Sequence, residues 1–487
     1  MRAPNARDTA LGVLVRCRTA GAWADAALTA QLRRDGLTGP EAALCSRIVY
    51  GVMQNRLLLD FYLGAWCSQK IDHLQPPLAE ILRIGAYQIL FLDKVPDSAA
   101  VNQAVEQAKS NGRAKASGLV NAVLRQVSRN KSHLPPIPDR DETQNLSIRY
   151  SHPKWLVKRL IALLGREEAE ALLAADNAPA PLTIQVNPLK TTGEALTAAL
   201  EASGVTVRAH PWVPGCLELD RAGDLTALPP FRAGAFLVQD PAARLVPQIA
   251  GIRPGMRVLD VCAAPGGKSF AAAFQMEDRG EITACDLHEN KLKRIREGAA
   301  RLGLTCVRTE AADGRVFRPE WEGAFDAVLV DAPCSGLGII RKKPDIRYKK
   351  PDDLFALPVI QRAILDNAAR YVRPGGTLVY STCTVLTEEN EEVTDGFLAE
   401  HPDFGRTPFA LPDPVGETGG QVTLWPHRHG TDGFYICRMA RQPCGAIHDR
   451  FEITDTAGAD GFPPVPGGAG LPGQAGVHLA PPGIHVL

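Results

Sequence analysis

Two cysteines follow apolar runs at the places where a buried strand would give way to a loop. Val328-Leu329-Val330-Asp331-Ala332-Pro333-Cys334-Ser335-Gly336 sets an acid and a thiol past one run, and Leu378-Val379-Tyr380-Ser381-Thr382-Cys383-Thr384 sets a second thiol past another. A single buried cysteine is ordinarily inert packing. Two loop thiols with an acid nearby suit covalent catalysis, which splits one hard step into easier ones. The C5 carbon of cytosine needs such help. It becomes a nucleophile when a thiolate adds at C6 and turns the ring into an enamine. Asp331 is the natural group to donate a proton near N3 as the adduct forms, and the second thiol is then free to assist its collapse. A free thiol titrates near ~8.5, so it needs help to ionise. Spacing alone does not say whether Cys334 or Cys383 attacks.

A methyl donor is read from a third strand end. Val258-Leu259-Asp260-Val261-Cys262-Ala263-Ala264-Pro265-Gly266-Gly267-Lys268-Ser269 is a buried strand, a turn of small residues and a helix start. Gly266 and Gly267 lack a Cβ, so a ligand can approach the backbone. Asp286 ends the next apolar run, 20 residues after Gly266, where a carboxylate can bond a ribose hydroxyl. Asp313 is placed to end another strand and contact an adenine edge. The turn matches neither G-x-G-x-x-G nor the phosphate-binding G-x-x-x-x-G-K-[ST], which favours a nucleoside without phosphates, such as S-adenosylmethionine. No Cys or His lies close in sequence to either thiol, so no metal is expected.

These residues need a scaffold that brings strand ends together. From about residue 236, short apolar runs at 258–261, 282–285, 327–330 and 377–380 alternate with helical segments. That alternation predicts a doubly wound α/β domain over 236–442, with the candidate residues on the rim at the carboxyl ends of its strands. Residues 1–130 read as helices only, a bundle with segments at 41–63, 78–92, 99–109 and 116–128. A polar, Pro-rich linker is expected at 131–145, and a small α+β subdomain at 146–235. That subdomain has helices at 155–164, 167–175 and 193–203 and strands at 183–187 and 205–209. Residues 443–487 hold 9 Gly and 7 Pro, and no order is expected there.

Composition narrows the class. The 487 residues carry 54 Lys and Arg against 54 Asp and Glu, which excludes a histone-like polycation. Residues 1–130 hold 16 basic and 10 acidic residues, a net of +6. No run of about 18 uncharged apolar residues suggests a membrane span. The eleven cysteines form no C-x-x-C pair. A reducing cytoplasm, a monomer and a nucleic-acid partner are expected. Arg341-Lys342-Lys343-Pro344-Asp345-Ile346-Arg347-Tyr348-Lys349-Lys350 carries six cations in ten residues. It reads as a phosphate-binding loop in which Arg341, Lys342, Lys343 and Arg347 neutralise charge and Tyr348 stacks on a base. A solvated loop would look the same. Trp155 is a further candidate RNA contact or a core aromatic. The target cytosine is expected to be unpaired or flipped, because C5 of a stacked base is hard to reach.

Cys-Ala-Ala-Pro-Gly-Gly-Lys at 262–268, Asp-Ala-Pro-Cys-Ser-Gly at 331–336 and Tyr-Ser-Thr-Cys-Thr at 380–384 resemble the RNA (cytosine-5) methyltransferases of the NOL/NOP/Sun group. The N-terminal helices are similar to the NusB antitermination fold, and the combination resembles the family's ribosomal small-subunit branch. The resemblance implies a Rossmann-like methyltransferase sheet, S-adenosylmethionine as donor and small-subunit rRNA, not yet fully assembled, as substrate. It places the donor-binding turn on Cys262, Ala263, Ala264, Pro265, Gly266, Gly267 and Lys268, with Asp286, Asp313 and Asp331 completing the site. It also makes Cys383 the nucleophile and links Cys334 to product release. The chain departs from the family pattern at Gln185, where Arg is common, and at Ala242 and Ala243, where small hydroxyl residues are common. Three rival readings are the same chemistry on transfer RNA, a small-molecule methyltransferase, which would leave the basic loop and the extra 235 residues unexplained, and a non-catalytic RNA-binding module of the NusB type. The paired thiols and Asp331 argue against the last.

Overall fold

The structure, a computed structural model, describes residues 4–443. Apart from Pro443, the tail expected at 443–487 lies outside the described residues. The N-terminal bundle comprises helices Ala6–Ala20, Ala24–Asp35, Gly39–Gln54, Arg56–Gly64, Pro76–Phe91, Asp97–Ser110 and Ser117–Arg129. Pro76–Phe91 is its axis, buried at every position from Leu78 to Ile89. Leu11, Ile48, Val101 and Leu124 pack in the same core. The helix expected over 41–63 is broken at Asn55, whose side-chain amide bonds Gly51 O at 2.9 Å. Such a local bond competes with the helical ladder. Ala24–Asp35 escaped the sequence reading because its buried stripe is Ala24, Ala27, Leu28 and Gln31, too weakly apolar to mark a period.

Helices Glu142–Tyr150, Lys154–Leu164 and Arg166–Asn177 follow. The first begins inside the expected linker, because the Asp141 carboxylate accepts the Gln144 N–H at 3.0 Å and caps it. The apolar faces of these helices (Leu146, Leu156, Leu160, Leu172) pack on Leu337, Ile340, Ile346 and Leu386, from the loops that follow the two thiols. They therefore buttress the thiol loops. The small sheet has its own core of Ile184, Leu200, Leu217 and Phe236. It consists of β1 Leu182–Val186, β2 Thr206–Ala209, β3 Cys216–Asp220 and β4 Phe236–Val238, antiparallel in the order β2-β3-β1-β4. The sequence reading lacked β3 and β4. One carries two acids in five residues and the other is three residues long.

The large sheet contains β5 Arg257–Asp260, β6 Glu281–Asp286, β7 Val307–Ala311, β8 Phe325–Asp331, β9 Val372–Thr382, β10 Phe404–Arg406, β13 Gln421–Leu424 and β14 Phe434–Arg441. Strands β11 Phe409–Leu411 and β12 Gly416–Thr418 form a separate hairpin. The order is β10-β14-β9-β8-β5-β6-β7, with β13 paired to β14. Strands β5 to β9 run parallel, and β14 returns antiparallel beside β9. Alternate residues feed two cores. Val258, Ile282 and Leu329 pack with Leu245 and Phe274 on one face, while Leu259, Val328 and Val330 pack with Ile364 and Leu365 on the other. Burial on both faces explains the continuous apolar runs. The chain moves outward from β5 to β7 and then crosses back to β8. The crevice beyond the carboxyl ends of β5 and β8 is therefore the topological switch point, where such sheets bind ligands.

Candidate active site

Asp260, Asp286 and Asp331 end strands at this crevice, and Asp313 lies two residues past the end of β7 rather than ending it. Asp260 closes β5, is fully buried and accepts the Ser269 hydroxyl at 2.7 Å. Burial raises its pKa to about 6. The turn 261–266 follows, and Gly266 adopts φ 108°. A Cβ there would lie 2.5 Å from the Phe270 ring, so both the conformation and the space demand glycine. Asp286 at the end of β6 is almost buried and accepts the His288 N–H at 3.0 Å. Asp313, beyond β7, is gripped by the Arg315 guanidinium at 2.7 Å, which holds its carboxyl below the usual range.

Asp331 at the end of β8 receives the Lys268 ammonium at 2.5 Å and the Ser381 hydroxyl at 3.0 Å. It thereby ties the donor turn to the end of β9. The turn has the features of a nucleoside cradle. The buried Asp260 Oδ1 and both amide atoms of Gln239 have no partner. Gln239 Nε2 would stand 3.2 Å from a Cβ at Gly267. Buried polar atoms left unpaired beside a Cβ-free turn fit a polar ligand that supplies the missing bonds.

The thiols meet. Cys334 Sγ and Cys383 Sγ are 3.3 Å apart, each half-buried. The hydrogen bond to Cys383, burial, and the nearby Glu389 and Asp331 push the Cys334 thiol well above its ordinary pKa. Two residues unmarked by the sequence reading lock this pair. Glu389 is buried and accepts the Ser335 N–H at 2.8 Å and the Gln361 amide at 2.9 Å. Asn390 donates to Thr384 O at 3.1 Å and accepts the Thr382 hydroxyl at 2.5 Å. In sequence, Glu388-Glu389-Asn390-Glu391 looks like a solvated charge run. Its position six residues past Cys383 was the available signal.

A backbone weld completes the site. Gly338 N–H donates to Cys383 O at 2.9 Å, and Gly433 N–H donates to Gly338 O at 2.8 Å. A Cβ on Gly338 would sit 2.8 Å or less from three Gly433 backbone atoms, so Gly338→Ala must push the Cys334 loop away from Gly433, the residue before β14. Displacing a reacting group by about 1 Å costs on the order of 10²-fold in rate. The variant is expected to lose that much turnover while keeping donor affinity, which steady-state kinetics beside calorimetric titration will show.

The basic loop is corrected by the structure. Arg347 is fully buried, donating to Gln54 O at 3.1 Å, Tyr150 O at 3.3 Å and Asn177 Oδ1 at 2.9 Å. The Tyr348 hydroxyl donates to Met53 O at 2.7 Å. Lys342 bonds Asp240 at 2.6 Å and Asp432 at 2.8 Å, and Arg341 joins both acids. Lys343 is half-buried and its charge acts on Asp345. Trp155 packs half-buried against the Leu146–Leu156 cluster. The expected phosphate contacts of Arg341, Lys342 and Arg347 and the expected stacking of Tyr348 give way to bonds between parts of the chain. The reason is that buried carbonyls and carboxylates must be satisfied.

Residues 248–440 match the 16S rRNA methyltransferase RsmB/F family, residues 4–129 the NusB family, and residues 152–226 the ferredoxin-like domain of RsmF/B-like methyltransferases. A probable ribosomal RNA small subunit methyltransferase B of Bacillus subtilis is 37% identical over 91% of this chain and 100% of its own length. The chain belongs to the ribosomal RNA small subunit methyltransferase B family. The Vibrio cholerae relative of that name is 35% identical, covering 82% of this chain and 89% of that one. The crystal structure of PH0851 superposes with a TM-score of 0.74 at 28% identity, covering 88% of this chain and 98% of that chain. The expected fold class holds: a NusB-like bundle, a ferredoxin-like subdomain and a Rossmann-like methyltransferase sheet. Among the described residues, no helix is long and apolar enough to cross a membrane, and no group of three His, Cys, Asp or Glu is placed to hold a metal.

Proposed function

We propose that this protein methylates C5 of a cytosine in small-subunit ribosomal RNA, using S-adenosylmethionine and a covalent adduct to Cys383. The observation that carries the reading is the pair of thiols 3.3 Å apart at the rim where Asp331 and Lys268 meet. Family membership favours the small-subunit substrate. The donor, when bound, supplies an electrophilic methyl group. The 262–268 turn and Asp286 would hold it, with Gln239 and Asp260 supplying the unpaired polar atoms. Asp313 reaches an adenine edge only by sharing or releasing Arg315.

Cys383 Sγ adds to C6 of the target base, and Asp331 stabilises the adduct at N3. After C5 is methylated, Cys334 assists loss of the C5 proton, and the C6–S bond breaks with its electrons returning to Cys383. Because both cysteines are half-buried, the cytosine must leave its stack to reach them.

The test is donor-dependent methylation of unmethylated small-subunit rRNA, followed by nucleoside mass spectrometry. 5-Methylcytidine in that RNA is the expected product. Label in transfer RNA alone keeps the chemistry and overturns the substrate, and no label in either overturns both. Asp286→Ala is expected to weaken S-adenosylhomocysteine binding about ten- to hundred-fold, the loss of one or two buried hydrogen bonds to a charged group. Calorimetric titration reads it directly.

A further inference from the structure

A cavity of about 960 Å³ opens between the N-terminal bundle and the catalytic domain. Arg18, Trp23, Met53 and Arg56 line it from the bundle, and Cys334 and Lys349 from the other side. Lys349 Nζ donates to the carbonyl of Ser335, the residue after Cys334, at 2.7 Å. The same ammonium stands 5.1 Å from the centre of the Trp23 ring, within reach of a cation–π attraction. Trp23 is fixed in turn, because the N–H of Ala24 donates to Asp345 at 3.0 Å, and Asp345 lies four residues before Lys349 on the same loop.

We infer that Lys349 is a positioning residue for the thiol pair, held beside Cys334 by Trp23, so that the docked N-terminal bundle helps set the charge on Cys334. The inference rests on the proposed covalent chemistry. To accept the C5 proton, Cys334 must be a thiolate. The C–H electron pair then re-forms the C5–C6 double bond, and the C6–S bond to Cys383 breaks.

The other groups around Cys334 oppose its ionisation. Cys383, Glu389 and Asp331 all favour the neutral thiol, and Tyr380 packs close enough to feel its charge. Lys268 is committed to Asp331. On the bundle side, Arg18 pairs with Glu80 and Asp72, and Arg56 with Asp72. The exposed Lys350, Asp352 and Asp353 and the half-buried Cys17 also line the cavity. Lys349 is the cation bonded to the loop that carries Cys334. Burial lowers its own pKa, and Cys334, Glu389, Cys383 and Asp345 raise it again.

The test uses the full chain without RNA. Iodoacetamide labelling of Cys334 is followed from pH 6 to 10 by peptide mass spectrometry. Lys349→Gln can still donate to Ser335 O but carries no charge. It is expected to slow Cys334 labelling about tenfold at each pH below the midpoint, as a rise of about one unit in its pKa would. Lys349→Arg is expected to restore it. Trp23→Leu, which leaves the lysine unpinned, is expected to slow labelling part of the way, and Trp23→Phe to hold the wild-type rate. With RNA and donor, Lys349→Gln is expected to accumulate the covalent adduct as its collapse slows. Superposed profiles for wild type and Lys349→Gln overturn the inference. If no variant forms an RNA adduct, the covalent reading fails, and the labelling profile still decides Lys349 by itself.

Discussion

Cys334→Ala is expected to leave the protein covalently bound to its RNA, while Cys383→Ala forms no adduct and loses at least about 10³-fold in turnover. The asymmetry follows from the order of events. Removing Cys383 removes the bond that activates C5, and a thousand-fold loss corresponds to about 4 kcal/mol of transition-state stabilisation. Removing Cys334 spares that bond and takes away the thiol 3.3 Å from Cys383 Sγ that assists collapse. The adduct then survives denaturing gel electrophoresis as a slower, donor-dependent band. The roles are reversed if Cys334→Ala is inactive without a band while Cys383→Ala accumulates one. Both substitutions are small, and the bonds from Gly338 N–H to Cys383 O and from Ser335 N–H to the Glu389 carboxylate do not involve the thiols. Loss of fold is therefore not expected to confuse the result.

Arg347→Met is expected to undock the N-terminal bundle. The guanidinium, carried on a catalytic-domain loop, is fully buried and reaches Gln54 in the bundle and Tyr150 and Asn177 in the intervening helices. Methionine fills similar space but takes the guanidinium donor away from Gln54 O and Asn177 Oδ1, while Tyr150 O keeps His152 and the Asn177 amide. Each orphaned buried acceptor costs about 1–3 kcal/mol. The loss falls on the interface because the bundle has its own core. A new early unfolding transition is expected in calorimetry, with faster proteolysis in the segment before Glu142. Arg347→Lys is expected to recover part of the loss, since one ammonium cannot span the positions that the planar fork reaches. A single unchanged transition would show that docking does not depend on this residue. The Cys334 labelling profile should also shift in Arg347→Met, because Trp23 would leave with the bundle.

The two interdomain residues show where sequence reading ran out. Arg347 and Tyr348 sit in a stretch with six cations in ten residues, the ordinary signature of a nucleic-acid loop. What turned it inward is a set of carbonyls contributed by residues some 170 to 290 positions away, and nothing local announces them. Glu389 and Asn390 were missed for the same reason. Their value lies in reaching the Ser335 N–H and Thr384 O across the site. The helix Ala24–Asp35 was missed because alanine carries almost no periodic signal.

The sequence by itself determined the alternation of buried strands and helices, the all-helical N-terminus, and which strand ends carry acids and thiols. Those properties are local. Apolar periodicity and a Cβ-free turn act within a few residues, and β5, β6, β8 and β9 lie on their expected runs. The tertiary structure alone decided that Cys334 and Cys383, 49 residues apart, share one point. It also decided that Lys268 closes on Asp331 and that the basic loop is a clamp between parts of the chain. Each of those outcomes depends on strand order. The crossover from β7 back to β8 beside β5 creates the crevice, and only once it exists do buried polar groups choose their partners.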